Sequence, residues 1–356
     1  MDLSIRLLGL TFDNPLLPAS GPLVDSLDNL LYFNEHDVGG LVTKTISLDG
    51  AQVAKPCIVA SRHMVHNTEL WSELPHEMWV ENILPNLKQD LRKPLIVSVG
   101  YTAEDLNILV PKLNPYADFF EVSTHYNRDA LKSLVTAICS STDKPVFIKL
   151  SPHIDDYLGF VKDVVDCGAS GVVAVNSLGP GVVINLEKRS VTIGIDGGKS
   201  WVSGPAIKPV ALNRVMNIRK SFPDLPIIAC GGVESAKDVI EFMLAGADLV
   251  QMLSAALING RGLYDEIVEH LPKVLETYHF ESMEDVRHTS LSYEVVGGGD
   301  HPSISDDACV HCGLCVKICP ERALSLQKTV IVNKMKCMRC GLCESRCPSK
   351  AISGVL

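Results

Sequence analysis

Three things are scarce in this 356-residue chain, and each scarcity closes off a class of protein. No apolar run reaches the roughly 18 residues of a membrane-crossing helix without a charge or a Gly or Pro break, so no membrane association is expected. Positive charge is short. Thirty-two Lys and Arg stand against 42 Asp and Glu, a formal net charge of -10, and nucleic acid is excluded as principal partner because its binding rests on basic side chains that neutralise phosphates. Cysteine is nearly missing from the first 300 residues, where only Cys57, Cys139, Cys167 and Cys230 occur, without paired spacing. That rules out a disulfide scaffold, and the four thiols read as small packing residues. The start, Met1-Asp2-Leu3-Ser4, lacks the basic stretch and apolar run of a secretory signal, and a cytoplasmic location is expected.

What is present is an alternation. With 46% apolar and 21% charged residues the chain has the balance of a globular protein, and its length allows more than one domain. Short runs rich in Val, Ile, Leu and Phe recur at Leu16 to Ser20, Gly39 to Ile46, Pro94 to Gly100, Asp118 to Thr124, Pro145 to Ser151, Gly171 to Ser177, Pro226 to Gly232 and Leu249 to Ala255. Most are followed by a stretch of helical period, such as Tyr157 to Cys167 or Ala236 to Ala245. Continuous apolar strands alternating with helices belong to parallel sheets covered on their faces. Eight such units predict an α/β TIM (β/α)8 barrel over residues 1–290. A doubly wound sheet would show a G-x-G-x-x-G turn after an early strand, and none is present. Gly194-Ile-Asp-Gly-Gly198-Lys199-Ser200 falls one residue short of a P-loop and reads as a Gly-rich loop after the sixth strand.

Residues 291–303, containing Gly297-Gly-Gly-Asp-His-Pro302, read as a linker, and residues 304–356 as a small separate domain. There Cys309-x-x-Cys312-x-x-Cys315-x-x-x-Cys319-Pro320 is repeated as Cys337-x-x-Cys340-x-x-Cys343-x-x-x-Cys347-Pro348. This is the run of bacterial two-cluster ferredoxins, in which the fourth Cys of each run ligates the other cluster. Cys309, Cys312, Cys315 and Cys347 are expected to hold one [4Fe-4S] cluster, and Cys337, Cys340, Cys343 and Cys319 the other. Zinc ribbons use two pairs of cysteines rather than two sets of four with a trailing Pro. The domain is basic on an acidic chain: Lys317, Arg322, Lys328, Lys334, Lys336, Arg339, Arg346 and Lys350 outnumber Asp306, Asp307, Glu321 and Glu344.

Two clusters relay single electrons and need a converter to act on a two-electron substrate; flavin is the usual one. A barrel that binds FMN places its phosphate at the ends of strands seven and eight, where Gly231, Gly232, Ser254 and Ala255 supply backbone N–H groups and a hydroxyl.

Asn14-Pro-Leu-Leu-Pro-Ala19-Ser20-Gly21, Val42-Thr-Lys44-Thr45, Ile148-Lys149-Leu-Ser-Pro152, Asn176-Ser177-Leu178 and Ser203-Gly204-Pro-Ala-Ile-Lys-Pro-Val-Ala-Leu212 resemble the dihydroorotate dehydrogenase family of FMN barrels over nearly the whole barrel. The fused cluster domain is similar to that of dihydropyrimidine dehydrogenases. So is Asn67-Thr-Glu69-Leu70, which carries Leu70 where the dihydroorotate enzymes have glycine. The resemblance implies FMN contacts at Ala19, Ser20, Lys44, Thr45, Ser123, Lys149, Asn176, Ser203 and Gly204. It implies substrate contacts at Asn67, Glu69, Asn176 and Ser177, and hydride exchange between flavin N5 and a C=C or CH–CH bond of a pyrimidine-like ring. Dihydroorotate oxidation is the alternative, and an electron-transfer subunit or reductase of a larger substrate another. For Glu69, spacing alone suggests a solvated loop carboxylate. For Lys44 and Lys149 the competing reading is a salt bridge at the barrel rim.

In the family the fourth strand leads into Asn-x-Ser-Cys-Pro or Asn-x-Ser-Ser-Pro, and here the chain reads Glu121-Val-Ser123-Thr-His125-Tyr126-Asn127. Ser123 replaces the asparagine. Tyr126 occupies the acid/base position and is the expected proton donor, with His125 the second candidate. The Gly-rich lid is also missing, which predicts an opener site with room for a larger ring. Arg62-His63-Met-Val-His66, with His76, reads as histidines lining a pocket rather than a metal triad. With no dinucleotide fingerprint, electrons are expected from a separate NAD(P)H-oxidising flavoprotein subunit or a ferredoxin. An oligomer is expected.

Overall fold

A computed structural model describes residues 1–123, 128–152, 154–292, 294 and 299–356, with only the backbone of residues 128 and 129. The chain divides into two compact units, Met1–Ser290 and Leu291–Leu356. Among the described residues no helix is long and apolar enough to cross a membrane.

The first unit is built on eight parallel strands: β1 (Leu16–Pro18), β2 (Leu41–Val42), β3 (Leu95–Val99), β4 (Phe119–Ser123), β5 (Val146–Leu150), β6 (Gly171–Ala174), β7 (Ile227–Cys230) and β8 (Leu249–Met252). Their hydrogen-bonded order is β1-β8-β7-β6-β5-β4-β3-β2. The two ends of this row approach each other where the Gly39 amide donates to the Leu16 carbonyl at 2.8 Å, so the sheet curls into a nearly closed barrel. These are the eight apolar runs read from the sequence, with shorter bounds. The second run departs most. Regular pairing with β3 stops after Val42, because the Ser98 amide donates to the Thr43 hydroxyl instead of a carbonyl.

Each strand returns through a helix: α1 (Leu27–Glu35), α2 (Leu84–Asp90), α3 (Ala103–Leu113), α4 (Arg128–Ser141), α5 (Tyr157–Asp166), α6 (Lys208–Ser221), α7 (Ala236–Leu244) and α8 (Leu263–Thr277). Four of these helices have their starts fixed by side-chain caps. Thr102 and Asp105 form a reciprocal capping box on α3, and Ser26, Asp156 and Ser235 cap α1, α5 and α7. Val97, Phe120, Ile148, Val172 and Ile228 on the strands pack with Leu109, Phe160, Val215 and Phe242 on the helices in one core.

A feature absent from the sequence reading sits beside the barrel. Strands Ile58–Ala60, Val65–Asn67, Ser200–Ser203 and Leu178–Gly181 form a four-stranded antiparallel sheet, made from the long connections after β2 and β6.

The second unit pairs Ser303–Ile304 with Ile352–Ser353 and Leu324–Leu326 with Val330–Val332, and adds the short helices Leu314–Ile318 and Leu342–Ser345. Its buried apolar core is Cys315, Leu324, Val330 and Ile352.

Barrel closure makes a prediction about Gly39. A Cβ there would lie 1.7 Å from the Asn14 carbonyl oxygen, a backbone atom that cannot swing away. Gly39→Ala is expected to destabilise by about 1–3 kcal/mol or more, read as a lowered thermal midpoint. Gly262→Ala, where no atom lies within 4 Å of the new Cβ, should leave the midpoint near its original value.

Candidate active site and cysteine cavities

The first unit holds a cavity of about 310 Å³, within the range of ligand sites. Ser20 (just after β1), Lys44 and Thr45 (after β2), Ser123 (the end of β4), and Asn176 and Ser177 (after β6) bring polar side chains to its wall. These are C-terminal ends of barrel strands, where barrel sites are built. The antiparallel sheet contributes Asn67, Trp201 and Ser203, and Ile58, Val65, Leu70, Leu253 and Leu257 make the apolar part. Thus Ser20, Lys44, Thr45, Asn67, Glu69, Ser123, Asn176, Ser177, Ser203 and Ser254 share one cavity.

Glu69 is not a solvated loop carboxylate. Its side chain is 17% exposed, and Oε2 lies 3.5 Å from Lys44 Nζ. Asn67 Nδ2 donates to the Trp201 carbonyl at 3.5 Å, its partner across the sheet. Asn176 is held through its amide to the Leu150 carbonyl (2.7 Å), while its own Oδ1 accepts from the Ser177 amide (2.8 Å). Tyr101 joins the wall with its ring 4.5 Å from that of Trp71, and burial pushes its phenol well above the ordinary tyrosine range.

Ser254 Oγ donates to Ser203 Oγ at 2.8 Å, which ties the end of β8 to the antiparallel sheet. Gly204, at φ +95, keeps its backbone there; a Cβ would stand 3.3 Å from Met64 Cα. Ala19, Lys149, Gly204, Gly231, Gly232 and Ala255 do not contribute to the wall. For Gly231 and Gly232 the structure supplies a packing reason: a Cβ on Gly232 would meet the backbone nitrogen of Lys208, at the start of α6, at 2.8 Å. Tyr126 and His125 lie outside the described residues.

Below the wall runs a polar network that sequence reasoning missed. Glu121 on β4 is fully buried; its carboxylate receives Lys149 Nζ (3.2 Å), Gln251 Nε2 (2.7 Å) and Ser98 Oγ (3.4 Å). Lys149 also donates to Gln251 Oε1 at 3.0 Å. Gln251 is on β8, which does not neighbour β4 or β5, so these bonds cross the barrel interior. Burial works against the Lys149 charge, yet Glu121 outweighs it and holds the pKa above the ordinary lysine value. Ser98 continues the chain of hydroxyls to Thr45 (3.0 Å) and Ser20 (3.1 Å), both in the wall. The signal was legible: Glu121 and Gln251 interrupt apolar strands that should carry no polar side chain unless it is paired. Both lysines therefore have carboxylate partners: Lys44 meets Glu69 in the cavity wall, and Lys149 meets Glu121 in the barrel interior rather than at the rim.

The histidines do not converge. His66 Nδ1 lies 3.1 Å from Ser200 Oγ, and His76 is bonded to the Leu48 carbonyl and Lys112. Among the described residues no group of His, Cys, Asp or Glu fits a single metal ion. Cys139 and Cys230 are thiols whose pKa burial raises, Cys139 to about 11 with Cys167 adding to the effect. They suit packing, not reactivity.

The second unit has two small cavities, each of about 20 Å³. One is lined by Cys309, Cys312, Cys315 and Cys347, the other by Cys319, Cys337, Cys340 and Cys343. Each gathers three cysteines of one run and the fourth of the other. The two halves match in detail: the Ala323 amide donates to Cys319 Sγ at 3.2 Å and the Ala351 amide to Cys347 Sγ at 3.3 Å. Gly313 (φ +68) and Gly341 (φ +77) turn the chain at equivalent points, where other residues would be strained. Four thiols around each cavity, three from one run and one from the other, suit a cubane.

Two outcomes are expected. Glu121→Gln strands the buried Lys149 charge and should cost about 3–5 kcal/mol in chemical denaturation; Glu121→Gln with Lys149→Met should recover most of it. In the second unit Cys347→Ser should remove the same cluster signal in electron paramagnetic resonance as Cys312→Ser, and not the signal removed by Cys340→Ser.

Comparison with known proteins adds the identity of both units. Residues 2–275 match the family model described as dihydroorotate dehydrogenase, and residues 293–351 that described as a 4Fe-4S dicluster domain. Relatives named dihydroorotate dehydrogenase B (NAD(+)), catalytic subunit, include that of Thermococcus kodakarensis, 32% identical over 298 residues, covering 80% of this chain and 96% of the relative. That of Pyrococcus furiosus is 32% identical over 303 residues (80% and 98%). That of Streptococcus pneumoniae is 29% identical over 310 residues (80% and 96%). These relatives carry the dihydroorotate name, not that of the dihydropyrimidine branch to which the fused domain and Glu69 pointed. A crystal structure of dihydroorotate dehydrogenase from Eimeria tenella in complex with ferulenol shares the fold, with a TM-score of 0.68 at 19% identity over 80% of this chain and 87% of that one. The residues present fit the groups this family implies. Hydroxyls, amides and an ammonium converge with apolar side chains on one cavity for FMN, and eight thiols ring two cavities for two [4Fe-4S] clusters. The chain thus belongs to the dihydroorotate dehydrogenase family, as an FMN-dependent oxidoreductase acting on CH–CH bonds and carrying a two-[4Fe-4S] ferredoxin domain.

Proposed function

We propose that the protein interconverts a neutral pyrimidine-like ring and its dihydro form, as dihydropyrimidine dehydrogenases do, with electrons exchanged through the two clusters. The observation that carries this reading is Glu69 in the cavity wall beside Asn67, Asn176 and Ser177. A carboxylate there accepts a hydrogen bond from a ring N–H. It opposes a ring that bears its own carboxylate: two like charges about 4 Å apart repel by about 4 kcal/mol at an effective dielectric of about 20. Lys44, the cation of the wall, is already engaged by Glu69 and offsets only part of that repulsion.

Bound FMN supplies hydride transfer at N5 and passes electrons singly to and from the clusters. The chain's residues do the rest. Asn67, Asn176 and Ser177 bond the polar edge of the substrate ring, and Lys44 holds Glu69 in place. Ile58, Val65, Leu253 and Leu257 keep water from the reacting face. Tyr126 is the proposed proton donor to substrate carbon, with His125 as second candidate. A separate NAD(P)H-oxidising flavoprotein subunit or a ferredoxin supplies the electrons.

Dihydroorotate oxidation is the second reading, favoured by the names of the relatives. Anaerobic reoxidation of chemically reduced holoenzyme by uracil, thymine and orotate separates the two. Uracil or thymine should react at least tenfold faster than orotate, and Glu69→Gln should narrow that gap. Fastest reaction with orotate would establish the second reading; reaction with none of the three would leave a reductase of a larger substrate or a subunit for electron transfer alone, which a panel of larger enones separates. In the same assay Tyr126→Phe should slow reoxidation and leave cluster-to-flavin transfer intact.

A further inference from the structure

The duplicated second unit contains its own control for charge. Before each first cysteine of a run the chain makes the same turn. Ser305 leads into Asp306-Asp307-Ala308, with the Cys309 amide donating to the Ser305 carbonyl at 3.0 Å. Asn333 leads into Lys334-Met335-Lys336, with the Cys337 amide donating to the Asn333 carbonyl at 3.1 Å. Two residues after those cysteines, His311 and Arg339 share φ +55. The backbone is thus conserved between the halves while the charge is inverted: two carboxylates stand on the first turn, and Lys334, Lys336 and the following Arg339 on the second.

The second turn also exposes apolar surface. Asn333 Oδ1 accepts from the Met335 and Lys336 amides at 3.0 and 3.2 Å, and this holds Met335 outward at 96% exposure. Met338 is 59% exposed, and with Arg339 it lines the cavity of Cys319, Cys337, Cys340 and Cys343. Cys340 is itself exposed, as is its counterpart Cys312, so the two halves differ in charge and in the methionines rather than in access to the cluster. Two accessible methionines framed by three cations, at the edge of an electron-carrying site, have the make-up of a transient docking face: an adaptable apolar centre with a charged rim.

We propose that this turn is the docking surface for an acidic one-electron carrier protein, and that the cluster held by Cys319, Cys337, Cys340 and Cys343 is the port through which electrons enter or leave. The proposal rests on the reading of the clusters as a relay to the flavin, and it names the partner's charge and the end at which it binds. On a chain of net charge -10 an acidic partner is repelled generally, so a basic patch steers it to one orientation. In the exchange one electron leaves the reduced carrier and enters the oxidised cluster, and no bond is made or broken.

The test mixes anaerobic full-length holoenzyme with a reduced acidic [2Fe-2S] ferredoxin in a stopped-flow spectrometer over a series of ionic strengths. Two matched reversals are compared, Lys334→Glu/Lys336→Glu and Asp306→Lys/Asp307→Lys, with iron content confirming that both clusters are present. If a reversal loses iron, Lys334→Gln/Lys336→Gln takes its place. The lysine variant should lower the second-order rate constant at low salt by tenfold or more and flatten or invert its salt dependence. The aspartate variant should leave it unchanged or raise it far less than the lysine variant lowers it. Equal and opposite effects from the two reversals would reduce the result to net charge and overturn the proposal. So would an unchanged rate in the lysine variant. Slower transfer from reduced clusters to FMN within the lysine variant, at an unchanged bimolecular rate, would mean that the turn serves the chain's own barrel, and would equally overturn it. In the unsubstituted holoenzyme, clusters that are reduced rapidly and with a salt dependence lost in the lysine variant, while FMN stays oxidised, would support the docking face and sink the relay.

Discussion

The buried pair of Glu121 and Lys149 is the constraint around which the barrel is arranged. A barrel interior is ordinarily filled by branched apolar side chains, and an ion pair there is retained only with close to full hydrogen bonding. Here the carboxylate is met by an ammonium, an amide and a hydroxyl from three other strands, one of which, β8, does not adjoin its own. Slippage of β4, β5 or β8 by one residue would turn these groups out of the interior and leave a charge without its partner. Removing one member of this network leaves a buried charge unpaired, which loss of a single apolar contact does not.

The same network reaches the ligand cavity. An ionised Glu121 only accepts hydrogen bonds, so Ser98 Oγ must donate to it and is left to accept from Thr45. Thr45 in turn accepts from Ser20. The direction of every proton in the chain is thereby set by a charge deep in the barrel, and the hydroxyl oxygens offer lone pairs to whatever lies against the wall. Glu69 and Lys44 form a looser counterpart in the wall itself, at 3.5 Å and partly exposed, where an arriving ring can compete for either member.

The barrel and the cysteine framework were legible in the sequence because both are written in spacing. Continuous apolar runs marked β1 through β8, and two quartets of cysteines with trailing prolines marked the second unit. The cavity residues Ser20, Lys44, Asn67, Glu69 and Asn176 were legible through resemblance, since nothing in their local pattern distinguishes them from loop residues. The antiparallel sheet was not, because its strands are three or four residues long and interrupted by His, Gly and Pro, below the length at which period-two alternation carries a signal. Glu121 was passed over for a different reason: its partners Ser98, Lys149 and Gln251 are distant in sequence, and only closure of the barrel brings them together. Family membership fixes the chemistry at the flavin, while the choice of ring rests on the few residues, Glu69 and Leu70 among them, that depart from the dihydroorotate pattern.

The core of the second unit has a consequence for how the protein is made. Cys315, Leu324, Val330 and Ile352 are too little buried apolar surface to offset the chain entropy of about 60 residues, so most of the folding free energy must come from the bonds between sulfur and iron. Without cofactor assembly, as in iron-starved cells, the second unit would be an unfolded tail exposed to proteases.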